Sequence, residues 1–269
     1  MTASAHRTDP HPPLGFGTYA LADPARSVAA ALGVGYRVID TAASYDNEVE
    51  VGAGIRSSAV PREQVLLTSK LRGRDQGAST RQGLTSSLRD LGTDYVDLYL
   101  IHWPLPNLGR YLESYEAMMR AREEGLIRQL GVSNFLPEHL ERIHAEFGEW
   151  PAVNQIEMHP YFPQLQALPY HRERGIEVQA WSPLARARDL LEDPVITRIA
   201  RRVGGTAGQV VLAWHLALGS FPIPKTDSAA RAADNLAAAT MRLDDSDVAA
   251  LSDLARGRIG GDPATHVEM

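Results

Sequence analysis

Short apolar runs alternate with longer helical patterns along all 269 residues, and this alternation constrains the fold more than any other feature of the sequence. The short runs are mostly apolar, which is typical of parallel strands that are buried on both faces. The predicted strands cover residues 14–18, 37–40, 65–70, 96–101, 127–132, 153–157, 177–181 and 221–224. Eight strand–helix units predict an α/β fold, a (β/α)8 TIM barrel with an additional C-terminal helix and tail.

Four positions carry the signals of a helix start. Asp23 and Asp193 each precede a proline, which places a capping acid before a residue suited to the first helical position. Asn47 and Thr206 are followed three residues later by Glu50 and Gln209, which is the spacing of a capping box. We therefore expect helices to begin at these four places.

The remaining helical pattern concerns the core and the C-terminal part of the chain. Apolar residues recur at one-face intervals over residues 111–119, and we interpret Met118 and Met119 there as core packing. A last amphipathic helix is predicted over residues 244–256, outside the barrel. The polar tail that follows, residues 257–269, is expected to lie over the rim of the active site.

Composition narrows the class of protein. No break in composition divides the chain, so we expect a single domain over residues 1–269. The absence of cysteine excludes disulfides, thiolate metal sites and thiol nucleophiles. A formal net charge of −6, with arginines scattered among acids, argues against a nucleic-acid surface. Residues 1–13 lack a secretory core and no apolar run is long enough to span a membrane, so we expect a cytoplasmic protein, and a monomer.

Ionisable residues follow three consecutive predicted strands at the same position. Asp40 and Lys70 end the second and third strands, His102 follows the fourth, and Tyr45 lies in the loop after Asp40. In barrel enzymes the active site lies at the carboxyl ends of the strands. Alone, Asp40 could cap a turn, Lys70 could be a solvated charge and His102 could be a structural imidazole. Their recurrence in phase predicts that they converge on one mouth.

Taken together, these residues resemble the aldo-keto reductase family. The resemblance covers the chain from residue 14 to its C-terminus, and its motifs follow in the order of the family. They are DTAASY at 40–45, Lys70, HWP at 102–104, GVSNF at 131–135, NQIE at 154–157, AWSPL at 180–184 and IPKT at 223–226.

The resemblance implies that Tyr45 donates a proton to the substrate oxygen while a nicotinamide delivers hydride to the carbonyl carbon. An unperturbed phenol titrates near a pH of ~10, and a close ammonium lowers that pKa by stabilising the phenolate. We expect Lys70 to have this effect, Asp40 to hold Lys70 charged and aimed, and His102 to hydrogen-bond the carbonyl oxygen.

The resemblance also implies a set of cofactor contacts and favours NADPH. Ser133, Asn134 and Gln155 would hold the carboxamide and Trp181 would stack on the nicotinamide ring, although Ser133 and Asn134 could instead cap a helix and Trp181 could be core. The remaining implied contacts are Ser182 and Leu184 after the seventh strand, Lys225, Thr226 and Arg231 on the adenosine 2′-phosphate, and Asp234 with Asn235 on the adenine or ribose.

The site of the cofactor phosphates also follows from the sequence. No Gly-x-Gly-x-x-Gly motif opens a βαβ unit, so a Rossmann site is not indicated. Lys225 and Thr226 lead into a helix that begins near Ser228, where a helix N-terminus would face phosphate. Asp227 beside this site would repel a 2′-phosphate, so NADH remains open as a cofactor.

The predicted mouth is aromatic, with Tyr19, Trp103 and Phe135 as candidate walls of the substrate pocket, although these could equally be packing residues of the barrel rim. We expect small to medium carbonyl substrates, with aromatic aldehydes or α-dicarbonyls among them. Two other classes are weighed: a Schiff-base aldolase that uses Lys70, and a non-catalytic NADPH-binding module that senses redox state. The nine histidines show no metal-ligand spacing, so no metal is expected.

Overall fold

The computed structural model of the chain describes residues 12–187 and 189–268. Eight strands form one sheet in chain order, and every neighbouring pair is parallel. They are β1 Phe16–Gly17, β2 Val38–Asp40, β3 Leu66–Leu71, β4 Val96–Ile101, β5 Ile127–Ser133, β6 Val153–Glu157, β7 Glu177–Trp181 and β8 Phe221–Pro222. The α/β class with eight parallel strands is confirmed.

The outer strands of this curled sheet are shorter than predicted, yet their backbones are hydrogen-bonded to each other. Gly15 N donates to Pro222 O at 3.0 Å, and Gly17 N donates to Pro224 O at 2.9 Å. The third strand was predicted one residue too early in the chain, because β3 covers Leu66–Leu71 and Lys70 is its last residue but one. Most of the residues of the eight strands are buried, as the apolar runs predicted.

The described part of the chain has ten α-helices, of which eight lie between strands and two follow β8. They are α1 Pro24–Gly33, α2 Glu48–Ser57, α3 Thr80–Leu91, α4 Tyr111–Glu123, α5 Pro137–Phe147, α6 Ala167–Glu173, α7 Pro194–Val203, α8 Ala207–Leu218, α9 Ala229–Ala237 and α10 Asp245–Ser252. Met118 on α4 is fully buried, which confirms its interpretation as core, whereas Met119 is only partly buried. No described helix has both the length and the apolar character needed to span a membrane.

All four predicted helix starts are confirmed. The carboxylates of Asp23 and Asp193 accept from backbone N–H groups of α1 and α7, and Thr206 forms its capping box at α8. The fourth helix, α2, begins at Glu48 directly after Asn47, but the capping box expected there is absent, since the Asn47 side chain makes no cap hydrogen bond. The Asn47 amide instead accepts from Thr41 Oγ1 at 3.1 Å and donates to Thr18 O at 2.9 Å. Because of these hydrogen bonds, it does not cap the helix.

The last helix is shorter than the predicted residues 244–256. It ends at Ser252, and the backbone N–H groups of Arg256 and Gly257 donate to the carbonyl oxygen of Tyr161 rather than continuing a helical ladder. The Arg256 guanidinium lies over the Tyr161 ring, 3.8 Å from its centroid. These contacts turn the chain after the helix. As a result, the tail that follows crosses the carboxyl ends of the strands.

We expect Gly52→Ala to destabilise the fold strongly, because a methyl group there would lie 2.1 Å from the carbonyl oxygen of Leu91, where α2 packs on α3. Overpacking against backbone costs about 3 kcal/mol when neither helix can yield. Gly33→Ala is the control, since no atom lies within 4 Å of the added group. Urea unfolding followed by circular dichroism measures both variants, and equal midpoints would contradict the close packing of α2 on α3.

Candidate active site

A buried lysine connects the carboxyl ends of β2 and β3. Lys70 Nζ donates to Asp40 Oδ1 at 2.5 Å, to Thr41 O at 2.9 Å and to the Tyr45 hydroxyl at 3.4 Å. The register explains the first contact: Asp40 pairs with Thr68, and side chains alternate along a strand, so Lys70 lies on the same face two residues further on. The structure thus brings together a phenol, an ammonium and a carboxylate.

The loop after β2 aims Tyr45 at this lysine. Residues Ala43–Tyr45 form a single 3-10 turn, and Asp46 follows in the left-handed region with φ at 53°. The Asn47 amide then ties this loop to Thr41 and to the end of β1. Because both ends of the turn are fixed by hydrogen bonds to neighbouring strands, the position of the phenol is determined by backbone rather than by side-chain packing alone.

Burial sets the protonation state of the pair. It raises the pKa of Tyr45 above its ordinary value, and the charge of Lys70 opposes this rise without reversing it. Lys70 lowers the pKa of Tyr45 as expected, but burial has the larger effect, so the net pKa lies above the ordinary value. Burial also disfavours the charged form of Lys70, but Asp40 outweighs it and the pKa of Lys70 is raised. A neutral phenol thus faces a charged ammonium at neutral pH.

The fourth predicted residue, His102, follows β4 and lies beside Tyr45, with 5.7 Å between their ring centroids. Its Nδ1 atom is 3.0 Å from Ser44 Oγ and 2.8 Å from Glu268 Oε1. Since a carboxylate can only accept, Nδ1 must carry the proton that it shares with Glu268. The four residues predicted from the strand ends therefore lie at one mouth, and their catalytic roles stay predictions.

The four candidates for holding the nicotinamide lie together at the ends of β5, β6 and β7. Trp181 Nε1 donates to Asn134 Oδ1 at 2.8 Å, and Asn134 Nδ2 donates to His102 O at 3.1 Å. Gln155 Nε2 donates to Asp40 Oδ2 at 2.7 Å, and Ser133 Oγ donates to the Gln155 carbonyl. Buried amides and a half-buried indole thus adjoin the Asp40–Lys70 pair.

Backbone strain marks the same rim. Asn134 has φ at 64° and Ser182 has φ at 48°, and residues 185–187, just after Leu184, also have positive φ. Asparagine tolerates this region, whereas serine and alanine adopt it at a cost of about 1–3 kcal/mol each, and such strain clusters at ligand sites. Buried amides beside a strained rim fit the shape and donor set that a nicotinamide carboxamide needs.

The predicted phosphate contacts gather at the N-terminus of α9. Ser228 caps this helix, and Thr226 Oγ1 accepts from Ser228 N at 3.1 Å and from Arg231 Nε at 3.0 Å. Lys225 is exposed, and its Nζ donates to the carbonyl oxygen of Ala20 at 2.9 Å. Two cations and a helix N-terminus therefore face solvent together, which fits an anionic phosphate.

The acidic side chains near this site accept hydrogen bonds from neighbouring residues of the chain. Asp227 Oδ1 accepts from Ala22 N at 2.8 Å and from Ser27 Oγ at 3.3 Å, so its charge is partly compensated at the start of α1. Asp234 accepts from Gln209 Nε2 at 3.0 Å on the neighbouring helix α8. Asn235 is buried beside it. The contacts of Asp227 weaken the sequence argument that this residue repels a 2′-phosphate.

The three candidate wall residues differ in exposure. Tyr19 is 54% exposed and meets the Tyr45 ring edge-on at 5.1 Å. Trp103 is buried, whereas Phe135 packs into the core against Tyr111 and also lines an open cavity. That cavity lies on the Trp181 and Asn134 side of the mouth, with part of its lining from the tail.

The C-terminal tail contributes residues that the sequence did not single out. Glu157 at the end of β6 accepts from the backbone N–H groups of Ile259 and Gly260 at 2.5 and 2.9 Å, which holds the tail across the mouth. His266 then stacks on Trp103 at 3.8 Å, and Glu268 reaches His102. The sequence signal was only the polar tail after the last helix. Within residues 12–187 and 189–268, no group of His, Asp and Glu side chains could hold a metal ion.

Comparison with known proteins agrees with this geometry. The model of the Aldo/keto reductase family matches residues 13–256, which is most of the chain. The chain belongs to this family. It is therefore an oxidoreductase that acts on carbonyl compounds, and the predicted enzyme class is confirmed. The family assignment gives no support to the Schiff-base aldolase or to the non-catalytic module.

Individual relatives are similar over nearly the whole reductase. It is 45% identical to 2,5-diketo-D-gluconic acid reductase B of Corynebacterium sp. strain SHS752001, which covers 95% of this chain and 94% of the relative. It is 38% identical to the methylglyoxal reductase DkgA of Salmonella typhimurium, over 94% and 93% of the two chains. A solved complex of a Gox0644 variant with NADPH has a TM-score of 0.89 and 39% identity, and the match covers 94% of each chain.

We expect Asp40→Asn to lower the free energy of unfolding of the reductase by about 3 kcal/mol, because it leaves the Lys70 ammonium buried without its counter-charge. Asp46→Asn is the control: Asp46 pairs with Arg72 at 3.0 Å, but its side chain is 80% exposed, and exposed pairs contribute at most about 1 kcal/mol. Chemical denaturation at neutral pH measures the difference. Equal losses would show that the Asp40–Lys70 pair is not a buried charge pair.

Proposed function

We propose that this reductase converts aldehydes and ketones to alcohols with NADPH, and that Tyr45 is the proton donor. The observation that carries the proposal is the position of Lys70 Nζ, 2.5 Å from the Asp40 carboxylate and 3.4 Å from the Tyr45 hydroxyl. NADPH, when bound, supplies the hydride. The chain must then hold the substrate, supply a proton and stabilise the charge that develops on oxygen.

Tyr45 begins each turnover as a neutral phenol, because burial raises its pKa. Its hydroxyl donates the proton to the carbonyl oxygen as negative charge develops there, and a phenolate remains on Tyr45. The Lys70 ammonium, kept charged by Asp40, stabilises that phenolate until it regains a proton. Lys70 therefore acts after the proton has moved rather than by keeping Tyr45 ionised beforehand.

His102 orients the carbonyl oxygen. Ser44 and Glu268 both contact its Nδ1 atom, so Nε2 is the ring nitrogen left to face the substrate. Because Nδ1 already carries a proton, Nε2 donates to the oxygen only in the imidazolium form of His102, which the adjacent Glu268 carboxylate stabilises. The edge-on contact between the Tyr45 and His102 rings, with 5.7 Å between their centroids, supports the proposal that both side chains act on one carbonyl oxygen.

Residues at the strand ends would hold the cofactor. Ser133, Asn134 and Gln155 supply amide and hydroxyl partners for a carboxamide, and Trp181 supplies a ring face once it leaves its bond to Asn134. Ser182 and Leu184 lie on the strained loop beside them. Lys225, Thr226 and Arg231 would bind the 2′-phosphate at the start of α9, with Asp234 and Asn235 near the adenine or ribose. The NADPH bound in the solved Gox0644 complex supports this cofactor.

We expect Tyr45→Phe to reduce kcat for carbonyl reduction by about 10²- to 10⁴-fold, because it removes the proton donor alone. NADPH binding, followed by fluorescence titration, should change little. Tyr170→Phe is the control, since the Tyr170 hydroxyl contacts Glu141 at the exposed surface. Near-normal turnover by Tyr45→Phe would contradict the proton-donor role.

We expect Lys225→Ala to raise the Kd for NADPH by roughly 10- to 100-fold, the usual effect of losing a charge-assisted hydrogen bond, and to change the Kd for NADH far less. Arg89→Ala, which removes an exposed arginine of α3, is the charge-matched control. Fluorescence titration with NADPH and with NADH measures the two Kd values. Equal weakening of NADPH and NADH would indicate that Lys225 acts by holding the Ala20 loop instead.

The proposal also covers the closure of the barrel, the extent of the domain, the compartment and the oligomeric state. The hydrogen bonds between the first and last strand segments support a closed (β/α)8 barrel that forms one domain over residues 1–269, with α10 and the tail added outside. Residues 1–11 lie outside the described part of the chain. The net charge of −6 supports a monomer without a nucleic-acid partner, and a sequence without cysteine fits the reducing cytoplasm.

The proposed substrates are small to medium carbonyl compounds. The aromatic side chains of Tyr19, Trp103 and Trp181 around the mouth favour aromatic aldehydes, which can pack against their rings. One relative is named for methylglyoxal, an α-dicarbonyl, which supports α-dicarbonyls as a second class. Another is named for 2,5-diketo-D-gluconic acid, whose two ketones are not adjacent. A carbonyl panel monitored by loss of NADPH absorbance tests both classes.

A further inference from the structure

Two glutamines lie on the inner face of the curled sheet, where barrel interiors are dominated by branched apolar side chains. Gln155 on β6 pairs in register with Gln179 on β7, and both are buried. Gln155 Nε2 donates to Gln179 Oε1 at 3.2 Å, and Gln179 Nε2 donates to Glu177 Oε1 at 3.1 Å. The sequence motifs singled out Gln155 as a site residue, but neither Gln179 nor Glu177.

These hydrogen bonds continue to the Asp40–Lys70 pair. Gln155 Nε2 also donates to Asp40 Oδ2 at 2.7 Å, and Asp40 Oδ1 accepts from Lys70 Nζ. At the other end, Glu177 is the first residue of β7 and is half-buried, and it lines an open cavity at the amino ends of the strands. A chain of side-chain hydrogen bonds therefore runs from the amino ends of the strands to the mouth at their carboxyl ends.

The carboxylates at the two ends of the chain fix the direction of both amides. A carboxylate only accepts hydrogen bonds, so Glu177 requires the Nε2 end of Gln179, and Gln179 Oε1 then faces Gln155. Asp40 requires the Nε2 end of Gln155 in the same way. The two hydrogens of Gln155 Nε2 are thus both used, on Asp40 Oδ2 and on Gln179 Oε1. The amide atom that remains for a ligand is Gln155 Oε1, which is an acceptor.

We propose that Gln179 is a positioning residue for the cofactor: it holds the Gln155 amide so that Oε1 accepts a hydrogen bond from the NH2 group of the nicotinamide carboxamide. This inference rests on the proposed function, because it takes Gln155 to contact that carboxamide. Without Gln179, one buried N–H of Gln155 loses its acceptor, and the amide turns to find another. The hydrogen bond to the cofactor is then lost, and a bond between neutral groups changes Kd by roughly 2- to 10-fold.

The test compares NADP⁺ with its 3-acetylpyridine analogue, in which a methyl group replaces the NH2 of the carboxamide while charge and shape are kept. Calorimetric titration gives both Kd values for the wild-type reductase and for Gln179→Met, which keeps the length of the side chain but removes its polar atoms. We expect the wild type to bind NADP⁺ roughly 2- to 10-fold more tightly than the analogue, and Gln179→Met to lose most of this preference. Equal weakening of both ligands would overturn the proposal, since Gln179 would then only support the fold.

Matched variants show whether Gln179 acts through Gln155. Thr68→Val is the control, because it removes a hydroxyl from the same cavity but no member of the hydrogen-bond chain, and it should keep the preference for NADP⁺. Gln155→Met removes the acceptor itself and should abolish the preference. Adding Gln179→Met to Gln155→Met should then change the ratio of the two Kd values no further, and a further change would contradict positioning through Gln155.

Glu177→Met tests the same chain from its far end and should also reduce the preference for NADP⁺. A wild-type ratio of the two Kd values in whichever of Gln179→Met and Glu177→Met folds would overturn the proposal. Equal affinity of the wild type for NADP⁺ and the analogue would overturn it as well, because no acceptor would then contact the NH2 group. Failure of the wild type to bind NADP⁺ at all would instead contradict the proposed function.

Discussion

The buried pair between Lys70 and Asp40 is the interaction on which the site depends. A lysine with no contact to solvent retains its charge only because a carboxylate lies 2.5 Å away and the carbonyl oxygen of Thr41 accepts a second hydrogen bond. Such a pair contributes little net stability to a fold, but it places a fixed positive charge where water cannot screen it. In the proposed mechanism, that charge stabilises the Tyr45 phenolate between the loss of its proton and the return of one.

The register of the strands places Asp40 beside Lys70, and a hydrogen-bonded loop places Tyr45 next to them. Parallel pairing of β2 with β3 puts Asp40 and Lys70 on one face, and the Asn47 amide fixes the loop that carries Tyr45. The tail closes the opposite side, where Glu157 holds its backbone and Glu268 meets His102. Each active-site group is thus oriented by a strand end or by a neighbouring loop. The chemistry is local, while its geometry depends on the whole sheet.

Much of this arrangement was predictable from the sequence. The matching positions of Asp40, Lys70 and His102 at successive strand ends indicated that they lie together, because parallel strands bring their carboxyl ends to one edge. The family motifs supplied the candidate cofactor contacts. The direction of the pKa shift of Tyr45 was not predictable, since it depends on how completely the neighbours bury the phenol. Nor was Glu268, whose position depends on contacts with residues more than 100 positions earlier in the chain. The hydrogen bonds of Asn47 were not predictable either. Its spacing to Glu50 fits a capping box, but its amide bonds to residues of a neighbouring loop instead.

A crystal structure of the reductase with NADP⁺ bound is the sharpest test of this arrangement. We expect Lys70 Nζ to remain within hydrogen-bonding distance of both the Asp40 carboxylate and the Tyr45 hydroxyl, and the nicotinamide to bind at the same mouth, beside Trp181 and Asn134. A nicotinamide bound elsewhere on the sheet would contradict the proposed site. So would a Lys70 side chain turned away from Tyr45, because the phenolate would then have no fixed positive charge beside it.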